Sequence, residues 1–216
     1  ALASFGLGGI LVRELINKEN LSNVIMGTSI FLYIFGGIIV TILSTILIIF
    51  INPDDILLRI LVLIMSTALI FRFNEVIKYW FESKVLSKYV VWFDNGAYII
   101  SSIIKIFLVI YKAELIYFAW VVLIEGILIT IGLVIIFNYK YPNQIKKFRF
   151  NYFVGKNLLR DSWPMIFSGI ILMVQARIDQ LMLGIFIGAR EVGYYSVSLQ
   201  ILEGLSFLPM IIMSTM

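Results

Sequence analysis

The chain has 216 residues, 61% of them hydrophobic and 14% charged, with a mean hydropathy of +1.02. Ordinary globular chains carry about 45–50% apolar and ~25% charged residues, so a soluble fold is excluded and the natural solvent is lipid. There is no cysteine and no histidine, which excludes disulfides, Cys/His zinc sites, His-ligated haem and His-dependent triads, and the net charge of +4 lies mostly in loops.

The opening "ALASFGLGGILVRELI" has no positive n-region and no small-residue cleavage site before a polar domain, so it reads as a truncated span over about 1–12, not a signal peptide. The second span covers about 24–51, without a charge from Leu21 to Pro53. A third covers about 56–80, a fourth about 90–110 and a fifth about 115–137. The sixth, about 163–187, follows "DSWP", where Asp161 or Ser162 is predicted to cap and Pro164 to occupy the first turn. A seventh starts near Gly193 and continues into "LPMIIMSTM", an apolar run still open at its end. Both termini read as internal to a longer polytopic chain. Apolar runs of this length, with no period of two, are helices.

The loops orient these spans. Arg13 and Lys18, then Lys78, Lys84 and Lys88, then Lys140, Lys146, Lys147, Arg149, Lys156 and Arg160 mark every second connection. The intervening turns "NPDD", "YKAE" and "GARE" are poor in basic residues, so the basic side is cytoplasmic. The longest basic loop, 138–162, is the predicted boundary between two helix bundles. Trp80, Trp92, Tyr139, Tyr141 and Trp163 fall at span ends, where an aromatic belt explains them.

Charges inside the spans are the informative feature. At 1.5 Å per residue, Glu125, Arg177 and Glu203 lie roughly 15 Å deep, Asp179 about 12 Å, and Lys105 about 8 Å from the outer end, within snorkelling reach. An isolated Arg or Asp at a helix centre costs about 2.5–3.5 kcal/mol on insertion scales, so such groups normally face a bundle interior or a wet cavity. Gly169, Met173, Arg177, Gln180 and Gly184 form one stripe, with Gln175, Asp179 and Met182 nearly opposite. Ser196, Gln200 and Glu203 line up on the last helix. Arg72, Glu75, Lys78 and Glu82 form a ladder in which each neighbour can pair, read as a helix-end charge network. Arg177 is the candidate anion-binding residue, because a guanidinium grips phosphate bidentately. Glu125 is either a packing or a cavity residue, and Asp179 either a helix partner or an ion-coupling site.

"FGLGGILVREL" (5–15), "YWFESKVLSKYVV" (79–91) and "ARIDQLMLGIFIGAREVGYYSVSLQILEGLSFLP" (176–209) resemble the Wzx-type O-antigen and polysaccharide flippases. These belong to the multidrug/oligosaccharidyl-lipid/polysaccharide exporter superfamily. The resemblance implies an all-α transporter of 12 or more helices in two lobes around a cavity that opens alternately to either side. On that basis 1–137 holds helices two to six, 138–162 the cytoplasmic linker, and 163–216 helices seven and eight. Gly9 stands where many relatives carry an acidic residue. The implied cargo is an undecaprenyl-pyrophosphate-linked oligosaccharide, as in lipopolysaccharide or capsule assembly, crossing the bacterial cytoplasmic membrane. Arg177, Gln180, Gln200, Glu203 and Glu125 would then line the cavity, with Asp179 and Gln175 coupling an ion or pairing helices. Membrane lipids, a polysaccharide polymerase and glycosyltransferases are the expected partners. No nucleic acid, metal or cofactor is expected. A drug or cation antiporter would share the fold, but would more naturally show acidic and aromatic groups to its substrate. A polytopic polymerase or glycosyltransferase would carry large outer loops or Asp-rich cytoplasmic segments.

Overall fold

The computed structural model describes residues 7–215, with side chains for 7–203. Residues 1–6 of the first predicted span lie outside the described residues. Every regular element described is helical: α1 (Gly8–Asn17), α2 (Ser22–Ile51), α3 (Ile56–Thr67), α4 (Asn74–Ser83), α5 (Lys88–Ile110), α6 (Leu115–Lys140), α7 (Tyr152–Phe186) and α8 (Ala189–Thr215). Short 3-10 segments occupy Glu19–Leu21, Ala68–Phe73 and Ile145–Lys147. Among the described residues, 5 helical stretches are long and apolar enough to cross a membrane: Glu19–Ile51, Ile56–Ser83, Lys88–Ile110, Leu115–Lys140 and Tyr152–Phe186. The chain is an all-α polytopic membrane protein. It divides into two compact units, residues 1–167 and 168–216, so α7 contributes its first part to one and its second part to the other.

The core of the first unit is built from stripes at helical spacing. Ile10, Leu11 and Leu15 of α1 join Val76, Ile77, Trp80 and Phe81 of α4, Met26 and Tyr33 of α2, and Leu133 and Phe137 of α6. Lipid is as apolar as these side chains, so close packing holds such helices together, and small residues permit it. A Cβ at Gly132 would lie 2.5 Å from the Phe93 ring, and one at Gly37 2.8 Å from Ile70 Cα. Trp80 is 4% exposed and meets Phe137 and Tyr141 edge-on. The belt expectation for Trp80 is thus corrected: it sits in the core, while Trp92 and Tyr139 remain exposed.

The predicted third span is not one continuous α-helix. Ser66 and Thr67 turn their hydroxyls back to Leu63 O (3.2 and 2.7 Å), a local bond that bends helices, and a 3-10 segment follows. Two carbonyls of this stretch also meet a side-chain hydroxyl from a neighbouring helix. Thr41 Oγ1 of α2 reaches Ser66 O at 2.9 Å, and Thr130 Oγ1 of α6 reaches Phe71 O at 3.2 Å. Asn74 Nδ2 donates to Thr130 Oγ1 at 3.0 Å, closing the network. The break is stitched to both neighbours.

The basic stretch 138–162 is largely ordered structure. Asn151 Oδ1 accepts from the backbone N–H groups of Phe153 (2.9 Å) and Val154 (3.3 Å), so α7 starts at Tyr152. The cap expected at Asp161 or Ser162 is therefore corrected, and Pro164 lies inside the helix, not in its first turn. Hydropathy alone dated the helix from where it turns apolar; its first turns are amphipathic, burying Gly155, Leu158 and Ser162.

Two helix ends close with a left-handed residue that is not glycine. After α4, Leu86 N donates to Phe81 O (2.7 Å) and Val85 N to Glu82 O (2.9 Å), with Val85 at φ 56 and 90% exposed. This is a Schellman closure, and its left-handed position favours glycine. Val85→Gly is expected to stabilise the protein by about 1 kcal/mol, since a β-branched residue pays most at positive φ. Thermal unfolding of the intact protein checks this, and an unchanged or lowered Tm contradicts it. Lys112, at φ 50, ends α5 the same way.

The second unit is a helical hairpin. The chain turns at Gly188, whose φ of +125 few side chains adopt, and Gly188 N returns to Leu183 O at 3.0 Å.

Candidate functional site

The hairpin sets the register of the polar residues on α7 and α8. Gln180 Nε2 donates to Ser196 Oγ at 3.4 Å, and Tyr195 Oη donates to Asp179 Oδ2 at 3.1 Å. A Cβ at Gly184 would meet Val192 Cγ2 at 3.5 Å. Asp179 and Gln180, one residue and 100° apart, thus border the same seam from its two sides. Asp179 has its helix partner in Tyr195. Arg177, Gln175, Gln200 and Glu203 are all exposed in this unit. No hydrogen bond or ion pair among the described residues engages Arg177.

In the first unit, α5 and α6 pack along their length. Lys105 Nζ lies 3.2 Å from Glu125 Oε2, with Glu125 the more enclosed of the two. Lys105 therefore reaches inward to a carboxylate, and does not snorkel to the headgroups as expected.

The charge ladder forms only its first rung. Arg72 donates through Nε to Glu75 Oε1 at 2.8 Å. Lys78 turns instead to Asp94 of α5, at 2.7 Å, and Glu82 is exposed. Counting along one helix exposed i, i+3 and i, i+4 neighbours, but α4 and α5 are joined by a short turn and present Lys78 and Asp94 at one level. Asp94 Oδ1 is buried without a hydrogen-bond partner among the described residues. Sequence reasoning missed Asp94. It also missed the seat of the linker: Gly27 lets the Arg149 backbone approach to 2.7 Å of where a Cβ would stand, and Asn151 N donates to Thr28 Oγ1 at 3.0 Å.

In the first unit, a cavity of about 300 Å³ is lined by Glu14, Lys18, Asn157, Arg160 and Asp161. Within it Lys18 pairs with Glu14 at 2.6 Å, and Asp161 takes Arg13 from outside the lining at 3.6 Å.

An all-helical polytopic membrane protein with ionisable side chains inside its spans is the class these features define. The chain belongs to the polysaccharide biosynthesis protein family, whose model matches residues 1–216. No curated protein and no solved structure matches the chain.

Proposed function

We propose that this protein is a flippase. It moves an undecaprenyl-pyrophosphate-linked oligosaccharide, such as an O-antigen or capsular repeat unit, across the bacterial cytoplasmic membrane by alternating access. The observation that carries the reading is Arg177, a guanidinium near mid-membrane depth with no acidic partner among the described residues. Its cost is explained by a ligand that brings negative charge. A lipid-linked cargo keeps its tail in the bilayer, while its pyrophosphate and sugars need a polar route. Arg177 binds the pyrophosphate, and Gln200 and Glu203 offer hydrogen bonds to sugar hydroxyls. Gln180 and Asp179, held by Ser196 and Tyr195, keep α7 and α8 in register. Rocking of one bundle against the other would then expose this route alternately to the two sides. The Lys105–Glu125 pair weighs against a cation antiporter, because the carboxylate at that level already has its cation.

Complementation tests the proposal. The intact protein, expressed in a strain lacking its own flippase for the same glycan, is expected to restore surface polysaccharide. Loss of the protein in its native host should leave the lipid-linked oligosaccharide on the inner leaflet. Normal surface polysaccharide in that null strain, with drug efflux lost instead, would assign the antiporter function.

A further inference from the structure

The cytoplasmic half of the first unit carries an apolar groove that the proposed transport route does not use. A cavity of about 440 Å³ is lined by Ile30, Phe31 and Ile34 of α2, Val134 of α6, and Phe148 and Phe150 of the linker. A second, of about 290 Å³, adjoins it and shares Phe31 and Phe150. Phe148 stands on extended backbone, so alternate residues point alternately: Phe148 packs on Phe137 (5.9 Å between rings) and Phe150 on Phe31 (4.6 Å). Lys147 and Arg149, on the intervening positions, are exposed, as are Lys146 and Lys156.

Charge decides what fits here. Between 126 and 160 the chain has no carboxylate, but it has Lys140, Lys146, Lys147, Arg149, Lys156 and Arg160. Elsewhere on this side Lys18 pairs with Glu14, Arg13 with Asp161 and Lys84 with Glu19, while Lys88 stands over the Tyr89 ring. Lys146, Lys147, Arg149 and Lys156 have none among the described residues. The strap is also held in place, by Arg149 N to Asn23 O (3.4 Å) and Gln144 Nε2 to Asn23 Oδ1 (3.1 Å), so its charges are fixed beside the groove. An apolar trough under a rim of uncompensated positive charge matches a ligand with an apolar chain and an anionic head. We propose that this groove is a binding site for an anionic glycerophospholipid of the cytoplasmic leaflet. Its acyl chain lies along Phe31 and Ile34, and its phosphate is held by Lys146, Lys147 and Arg149. The site lies wholly within residues 1–167 and is independent of the cargo proposed for Arg177.

The test is binding and thermal stabilisation of the delipidated, detergent-solubilised intact protein. Dioleoyl phosphatidylglycerol is expected to bind about tenfold or more tightly than dioleoyl phosphatidylcholine and to raise Tm, since each basic residue near an anionic headgroup adds to the attraction. The triple change Lys146→Gln, Lys147→Gln, Arg149→Gln should erase the difference between the lipids. Lys84→Gln with Lys88→Gln, on the same side but away from the groove, should keep it. Ile34→Trp, which fills the trough, should weaken phosphatidylglycerol while leaving any binding of inorganic phosphate unchanged. Equal response to the two lipids, or an unaltered preference in the triple variant, overturns the proposal. So does stoichiometric displacement of phosphatidylglycerol by a polyprenyl pyrophosphate, which would give the groove to the transported lipid.

Discussion

Arg177→Ala is expected to abolish surface polysaccharide while the protein stays in the membrane at its normal level. Two opposing effects make this informative. Removing a guanidinium from mid-membrane relieves about 2.5–3.5 kcal/mol of insertion cost, so the folded protein should be no less stable. Removing a charged hydrogen-bond donor from a phosphate should weaken cargo binding roughly 10- to 100-fold. Stability and activity are therefore expected to move apart. A structural arginine would lose both together, and among the described residues no partner waits to be orphaned. Arg177→Lys should restore part of the export, because it keeps the charge and loses the two-pronged geometry. The measurement is polysaccharide on the cell surface, with immunoblots of membrane fractions alongside. Normal polysaccharide from stably expressed Arg177→Ala would sink the assignment.

Lys105 and Glu125 should respond asymmetrically. Lys105→Met leaves Glu125 alone at roughly 15 Å depth, and an orphaned buried charge is expected to cost about 3 kcal/mol or more. Glu125→Gln leaves Lys105, whose flexible stem lies about 8 Å from the outer end and can carry its ammonium to the headgroups. The loss there should be much smaller. The double change should recover most of what Lys105→Met loses, because nothing charged remains. Thermal unfolding of the three variants in the same lipid decides it. Equal losses from the single changes, or additive loss in the double, would show that the pair is not coupled as its 3.2 Å separation indicates.

What was legible in the sequence was what one dimension records: long apolar runs announced the helices. What was missed depends on a neighbouring element. Lys78 pairs with Asp94 across a turn, and Lys105 with Glu125 on the next helix, so spacing along one helix could not find either. The 3-10 break at Ala68–Phe73 is set as much by Gly37, Thr41 and Thr130 as by its own residues. The start of α7 was misplaced because Asn151 looks like any loop polar residue until its oxygen meets Phe153 and Val154.

Pro164 has a mechanical consequence. It lies within α7, just before the division between the compact units at Phe167 and Ser168. The chain passes from one unit to the other along this helix. A proline offers no N–H to the carbonyl one turn back, and its ring crowds that carbonyl, so a helix yields there first. Asn151 and Gly155 secure the root of α7 to α2, so Pro164 is the weak point beyond a fixed base. Under the flippase proposal, stiffening that point with the cargo contacts intact is expected to slow transport.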